Sequence, residues 1–333
     1  MTAPGVAPTP GGTSPRSTPT APGTPAPTTT PSVAASFRPA DPRVRGLAGI
    51  APSVGHDGVW WALAGTAGAP RLYALGPDGR TRAVYALSGV PAGVALDALT
   101  AARDDARGPR LYLADLSQPR GTIGMYEVVE PTALKSGTLP VRKRTVRYPD
   151  GAHAAGTLLS DPRDGRVYVL ARTARATALY ALPGALGPQV NDLTRMRVLA
   201  FRALGAGMTA QGRVVLRTAA DVRVLASVRG DVEHVLRVRV PAAHFALDAA
   251  GERAVFASAG ARPVFRSVAL PAAAGGDAPV RPDGGTGRPV PVPGRPALPG
   301  GPLGTAALGG LALLGALSLG LGLRNRRRVR RRH

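Results

Sequence analysis

The chain contains 333 residues, and its 34 Pro and 43 Gly are concentrated towards the two ends, so only the middle of the chain can bury a sizeable core. Cysteine is absent, which excludes disulfides, thiolate catalysis and cysteine-ligated metal sites. The formal net charge is +22, but seven arginines fall in the last ten residues, and 2 Trp, 7 Tyr and 5 Phe are few for base stacking. Nucleic acid is therefore not expected as a partner.

Two stretches of low complexity flank the middle of the chain. Residues 1–36 are rich in Pro and Thr and carry one charged side chain, Arg16. They predict a disordered arm, because this composition buries too little apolar surface to offset the entropy of ordering. Residues 271–302 are rich in Pro and Gly and predict an extended stalk. The folded domain is expected between them, in residues 37–270.

Short apolar runs separated by Gly turns indicate that residues 37–270 are all-β. The first predicted strands are GVWWALAG (58–65), RLYALGPDG (71–79), RAVYALSG (82–89), RLYLADLS (110–117), TIGMYEVVE (122–130) and VRKRTVRY (141–148). A unit of strand, Gly turn, strand, polar break and strand then recurs in 157–174, 208–226 and 245–265. Five units of about 47 residues predict a β-propeller with five blades, and six blades are the alternative.

A membrane-spanning helix is predicted at residues 303–323, which carry no charge. At 1.5 Å per residue this helix would be about 31 Å long, the thickness of the hydrocarbon core of a bilayer. The tail that follows, residues 324–333, contains seven arginines and is expected in the cytoplasm by the positive-inside rule. The sequence thus predicts a single-pass protein of the cell membrane with its large domain on the extracytoplasmic side.

That orientation requires an export signal, and residues 1–36 contain neither a basic region nor an apolar run of the kind that signal peptides have. We expect such a signal upstream of Met1, and the alternative is a tail-anchored protein with its domain in the cytosol. The predicted helix also carries small residues on one face, which indicate weak self-association in the membrane. These residues are Ala312, Ala316 and Gly320.

Four segments carry a resemblance to a known family, and the resemblance extends over nearly all of residues 44–270. They are GVWWALAGTAGAPRLYALGPDGRTRAVYAL, LYLADLSQPRGTIGMYEVVEP, RYPDGAHAAGTLLSDPRDGRVYVLAR and AAHFALDAAGERAVFASAG. The domain resembles actinobacterial secreted β-propellers of the phytase-like or esterase-like group. The resemblance implies a five- or six-bladed propeller whose first strands direct acidic residues into a central channel, where they hold calcium or act on phosphate or ester substrates.

Most of the acidic residues that the resemblance implies are missing here. The channel candidates that it leaves are Asp97, Asp115, His153 and His244, and the first three are also the candidates for catalysis. Calcium requires six to eight oxygen ligands that include several carboxylates, and two separated aspartates do not provide them. No metal site and no cofactor are therefore expected.

These observations predict a non-catalytic, membrane-anchored propeller that binds or scaffolds an unidentified extracytoplasmic ligand or protein. The alternative is a hydrolase of phosphate or other esters that uses the residues remaining in the channel. Convergence of Asp97, Asp115 and His153 within hydrogen-bond distance would favour the hydrolase. A channel lined by Ala and Gly would favour the binding module.

Overall fold

A computed structural model describes residues 25–66, 69–103 and 106–273, and these residues form five β-sheets that we call blades. Strands are numbered in chain order. Within each blade the strands are arranged in order from the propeller axis outwards, and strands that follow one another in that order along the chain pair antiparallel. The apolar runs of the sequence become the two or three inner strands, which are buried on both faces.

Blades 1 and 2 have five strands each. From the axis outwards, blade 1 consists of β3 (Gly49–Pro52), β4 (Trp60–Thr66), β5 (Ala69–Leu75), β6 (Thr81–Ser88) and β10 (Gly137–Pro140). In the same direction, blade 2 consists of β7 (Ala98–Ala102), β8 (Arg110–Ala114), β9 (Thr122–Val129), β11 (Arg142–Arg147) and β15 (Asn191–Asp192).

The remaining three blades follow the same order from the axis outwards. Blade 3 consists of β12 (Ala154–Ser160), β13 (Val167–Arg172), β14 (Thr177–Ala181) and β16 (Thr194–Leu199). Blade 4 consists of β17 (Gly205–Met208), β18 (Val214–Arg217), β19 (Asp221–Leu225), β20 (Val232–Arg237) and β1 (Thr28–Thr29). Blade 5 consists of β21 (His244–Leu247), β22 (Arg253–Ala257), β23 (Phe265–Ala269) and β2 (Val33–Phe37).

The innermost strands β3, β7, β12, β17 and β21 contact one another in a closed ring, with β21 next to β3. The domain is therefore a five-bladed β-propeller, which confirms the predicted all-β class and the predicted blade number. Small residues suit these strands. A Cβ at Gly49 would lie 2.8 Å from the Cβ of Leu99, and one at Gly205 would lie 2.5 Å from the Cβ of Phe245. Glycine thus allows neighbouring blades to approach closely at the axis.

Apolar side chains fill the space between each pair of adjacent blades, in five separate clusters. The neighbouring residues Trp60 and Trp61 illustrate how a strand serves two of these clusters. Trp61 is fully buried in the cluster between blades 1 and 2, whereas Trp60 packs against the cluster between blades 5 and 1. The alternation of side chains along a strand explains why apolar residues occur consecutively in the inner strands.

A glycine with positive φ lies in the turn between the first and second strands of every blade. These residues are Gly58, Gly108, Gly165, Gly212 and Gly251. The left-handed conformation disfavours side chains with a Cβ, so the repeat of this turn explains why Gly recurs at the spacing of one blade. In blades 3 to 5 the turn also packs directly against the turn of the preceding blade.

Residues near the N-terminus complete the ring. β2 is the outermost strand of blade 5, where Phe37 stacks on Phe265 with ring centroids 4.3 Å apart, and β1 pairs in parallel with β20 of blade 4. The prediction of a disordered arm over residues 1–36 is therefore wrong for the two strands. An exposed sheet edge has unpaired backbone N–H and C=O groups that a segment of almost any composition can pair with. The composition of residues 1–36 therefore does not predict this pairing. Residues 1–24 lie outside the described residues.

Within the described part of the chain, no helix has the length and apolar character needed to cross a membrane. The predicted stalk beyond residue 273, the predicted membrane helix 303–323 and the predicted tail 324–333 all lie outside the described residues.

Candidate functional site

The propeller axis opens at the end where the innermost strands begin, and we call this end the channel mouth. A cavity of about 30 Å³ lies there, enough for one or two water molecules. Ile50, Leu99, Leu158 and Phe245 line both this cavity and a cavity of about 190 Å³ at the opposite end of the axis. These four residues therefore separate the two cavities. The axis is a plugged channel with a shallow polar mouth.

Asp97 lines the mouth cavity immediately before β7. Its backbone N–H donates to the carbonyl of Ala114, and its Oδ1 accepts a hydrogen bond of 2.8 Å from the backbone N–H of Leu116. Burial raises the pKa of the Asp97 carboxyl above its ordinary value, hydrogen bonds from Leu116 and Ser117 oppose that rise, and the nearby charge of Asp115 adds to it. A carboxyl in this position retains a proton to higher pH than an exposed one.

His244 lines the same cavity from the first position of β21. Its Nε2 lies 2.6 Å from the carbonyl oxygen of Leu47. A carbonyl only accepts, so Nε2 carries the proton and Nδ1 holds the lone pair. Burial lowers the pKa of His244, the contact with Leu47 opposes that change, and the charge of Arg217 lowers it further. The imidazole is therefore kept in its neutral form.

Asp115 and His153 are placed elsewhere, and neither lines the mouth cavity. Asp115 forms an ion pair with Arg120, with 3.0 Å between Oδ2 and Nη1. His153 lies in the connection from blade 2 to blade 3, where its Nε2 is 2.9 Å from Oδ1 of Asp150. The expected convergence of Asp97, Asp115 and His153 does not occur, whereas Asp97 and His244 do come together at one cavity.

The sequence reasoning missed the partners of His153. The hydroxyl of Tyr180 donates to Asp150 at 2.9 Å and lies 3.1 Å from Nε2 of His153, and Arg195 Nη1 donates to Asp150 at 2.8 Å. Burial opposes ionisation of Asp150, but the bonds from His153, Tyr180 and Arg195 together hold its pKa below the ordinary value. Burial and the Asp150 charge raise the pKa of Tyr180. This cluster fixes the connection between two blades, and the motif RYPDG-x-H marks it in the sequence.

Three arginines lie on one side of the mouth, and the sequence reasoning did not single them out. Arg172 ends β13 and Arg217 ends β18, so they occupy equivalent positions in blades 3 and 4. Arg202 lies in the connection between these two blades, two residues before Leu204 of the cavity wall. Burial lowers the pKa of Arg172 and of Arg217, and the charge of Arg202 lowers that of Arg172 further.

Groups of three or more His, Asp or Glu side chains that could hold a metal ion do not occur among the described residues. The expectation that the protein uses neither calcium nor a cofactor stays a prediction, because it concerns binding in solution.

No family model matches the sequence, and no curated protein matches it either. Among solved structures, a gluconolactonase from Xanthomonas campestris has 17% identity and a TM-score of 0.42, covering 67% of this chain and 71% of that chain. The Dos1 propeller has 11% identity and a TM-score of 0.37, covering 66% of this chain and 67% of that chain. Likeness at this level concerns the propeller fold and says nothing about activity. The resemblance to the phytase-like group stays a prediction.

Proposed function

We propose that this protein is a hydrolase of esters or phosphoesters, and that Asp97 and His244 carry out the reaction at the channel mouth. The observation that carries the proposal is that these two titratable side chains, from blades 2 and 5, line one water-sized cavity. Blade 1 lies between them, and it contributes Gly49, which has no side chain to block the gap.

The protonation states suit the two roles. His244 has a neutral imidazole whose Nδ1 can accept a proton from water, and the resulting hydroxide oxygen attacks the carbonyl carbon or the phosphorus. Asp97 keeps a proton on Oδ2 more readily than an exposed aspartate and transfers it to the leaving-group oxygen. Solvent then carries the proton from His244 back to Asp97, so the cycle is balanced in protons.

The size of the cavity limits where the substrate lies. A volume of about 30 Å³ admits the attacking water but not an acyl or phosphoryl group with its substituents. The substrate therefore binds on the open rim, with its reacting atom over the cavity. Leu99, Leu158 and Phe245 form the apolar floor below the water and prevent a substrate from passing along the axis.

Turnover of p-nitrophenyl acetate, p-nitrophenyl phosphate and a simple lactone tests the proposal. We expect His244→Gln and Asp97→Asn to lower kcat/KM by about 100-fold or more, the usual contribution of one acid or base. His234→Gln in the outer strand β20 and Asp57→Asn, which is exposed, are matched controls and should leave kcat/KM unchanged. Absence of turnover of all three substrates by the unsubstituted chain would refute the proposal.

The pH profile adds an independent test. Burial shifts the pKa of Asp97 up from 3.8 and that of His244 down from 6.5, so the two values approach each other. The base must be unprotonated and the acid protonated, and we expect a bell-shaped kcat/KM with its maximum below pH 7. Arg217 faces His244, whereas Asp115 and Arg172 act on Asp97, and the two arginines keep their charge between pH 5 and pH 8.

A binding module without chemistry is the second candidate, and one observation favours it. Oδ1 of Asp97 already accepts the backbone N–H of Leu116, as expected of a carboxylate that only supports a turn. In that case the protein would bind a substrate analogue saturably and release it unchanged. The turnover assay therefore separates the two candidates.

We also propose that the domain is held at the outer surface of the cell membrane by the uncharged segment 303–323 and the arginine-rich segment 324–333. Protease added to intact cells should then remove the propeller while a C-terminal tag stays protected. Protection of the propeller in intact cells would instead support a cytosolic domain.

A further inference from the structure

The arginines at the channel mouth share an arrangement that strand pairing alone does not require. Arg172 pairs with Ala154 at the start of β12, and Arg217 pairs with Gly205 at the start of β17. Each side chain turns towards the axis and donates one hydrogen bond from Nη2 to a backbone carbonyl, Arg172 to Ala155 at 2.8 Å and Arg217 to Ala242 at 2.9 Å. These bonds fix the two guanidinium groups in orientation.

Both guanidinium groups lie directly over the cavity wall. The Arg172 guanidinium occupies the space where a Cβ on Gly156 would be, and Gly156 lines the mouth cavity. The carbonyl that holds Arg217 belongs to the residue before Ala243, which also lines the cavity. The mouth therefore has fixed cationic groups on two adjacent blades.

The protein balances the charges of these arginines only in part, through the charge of Asp97, which acts on Arg172. Among the described residues, no carboxylate lies within ion-pair distance of Arg172, Arg202 or Arg217, and Arg202 makes no hydrogen bond either. Arg172 and Arg217 are half-buried, and Arg172 and Arg202 repel each other. Partly desolvated like charges without an ion-pair partner destabilise the unoccupied site, and a bound anion would reduce that penalty.

We propose that Arg172, Arg202 and Arg217 form an oxyanion-binding site that holds a phosphate or carboxylate group of the ligand at the channel mouth. This inference rests on the proposed function and deepens it, because it makes anionic esters the substrate class. Each guanidinium has five N–H donors, and at most one is used within the described part of the protein, so four or more remain for a ligand. Forked donors on two rigid strands suit the paired oxygen atoms of either anion.

Calorimetric titration of the full chain at low ionic strength tests the inference with inorganic phosphate and with malonate as separate probes. We expect a dissociation constant below about 1 mM for at least one probe, and the stronger probe identifies the phosphate or the carboxylate as the natural group. Arg172→Gln and Arg217→Gln should each weaken binding by about 10-fold or more. Arg202→Gln should weaken it by about threefold, and this variant should fold normally, because the side chain is exposed and bonds to none of the described residues.

Arg71→Gln is the matched control, since Arg71 is exposed in β5, the third strand of blade 1 from the axis, and does not line the mouth cavity. An equal loss of affinity in Arg71→Gln would show that anions respond only to the net charge of the protein and would overturn the site. Absence of binding of both probes at 10 mM would also overturn it.

The double variant of Asp97→Asn and His244→Gln separates this inference from the proposed hydrolase. It should lose turnover and keep its affinity for the anion. Binding without turnover in the unsubstituted chain would refute the hydrolase alone, whereas turnover without anion binding would refute the arginine site alone.

Discussion

Gly165 provides the sharpest test of how the blades are joined. It lies in the turn between β12 and β13 with φ of 69°, and a Cβ there would lie 2.9 Å from the carbonyl carbon of Arg103 and would overlap its oxygen. Gly58 occupies the equivalent turn of blade 1 with the same φ of 69°, but its nearest atom would be Cγ of Pro77 at 3.7 Å, an ordinary contact. The two positions therefore share their backbone conformation and differ in crowding.

The expected costs follow from this difference. Ala in a left-handed conformation costs about 1–2 kcal/mol, and this is the whole effect expected for Gly58→Ala. For Gly165→Ala, the backbone of Arg103 must also move, and overpacking of this kind costs about 1–3 kcal/mol more. We therefore expect Gly165→Ala to lower the free energy of unfolding by about 2–5 kcal/mol, and Gly58→Ala by no more than about 2 kcal/mol.

Urea denaturation at 25 °C, followed by the fluorescence of the two tryptophans, measures both variants against the unsubstituted chain. Each kilocalorie also corresponds to a fall in Tm of about 2–4 °C for a domain of this size. Equal losses in the two variants would mean that the contact between the turns of blades 2 and 3 contributes nothing, and the argument from crowding would be wrong.

The other predictions concern a buried glutamate, the N-terminal strands, stability at acid pH and calcium binding. Glu130→Gln should lower the free energy of unfolding by about 1.5–3 kcal/mol in urea titrations, because both oxygens of buried Glu130 accept hydrogen bonds, Oε1 from the Trp61 indole N–H at 2.7 Å and Oε2 from the backbone N–H groups of Val54 and Gly55, and the amide nitrogen of Gln can replace neither. Deletion of residues 25–37 should cost about 3 kcal/mol or more, measured the same way, since it removes both N-terminal strands and the Phe37 stack on Phe265. The pKa of Asp150 in the folded protein is lowered from 3.8, so its ionised form stabilises the fold above pH 3.8, and this contribution is lost as the pH falls through the folded value. Asp150→Asn should therefore flatten the dependence of Tm on pH below 4. Calcium at 5 mM should raise Tm by less than 1 °C, whereas a rise of several degrees would reveal a metal site.

The sequence was sufficient to predict the fold because the blade is a local unit. Each blade combines short apolar strands with a turn that needs glycine, and both features are visible within about 47 residues of sequence. Closure of the ring depends instead on residues far apart in the chain. The strand Val33–Phe37 pairs with Phe265–Ala269, and its letters VAASF follow a Pro/Thr-rich tract, so neither composition nor periodicity indicated a strand there.

Only part of the candidate site could be predicted from the sequence. Asp97 and His244 were candidates because the resemblance to the phytase-like group pointed to them, and the structure places both at one cavity. Asp115 and His153 also stand near strand ends, but Asp115 pairs with Arg120 and His153 contacts Asp150, and neither lines the mouth cavity. Both partners lie within five residues along the chain, but the sequence pattern does not show which side chains a turn brings into contact.

The balance of charge at the mouth has a direct chemical consequence. Of the residues that the structure describes, Asp97 is the only carboxylate that lines the mouth cavity. The half-buried guanidinium groups of Arg172 and Arg217 lie over the same wall, with Arg202 beside them. A divalent cation would have to overcome this repulsion with one carboxylate, already bonded to the N–H of Leu116, as its ligand. An anion would meet fixed donors and a positive potential that Asp97 only partly offsets. We therefore expect the mouth to favour an anionic ligand over a cation, in keeping with the proposed action of Asp97 and His244 on an anionic ester.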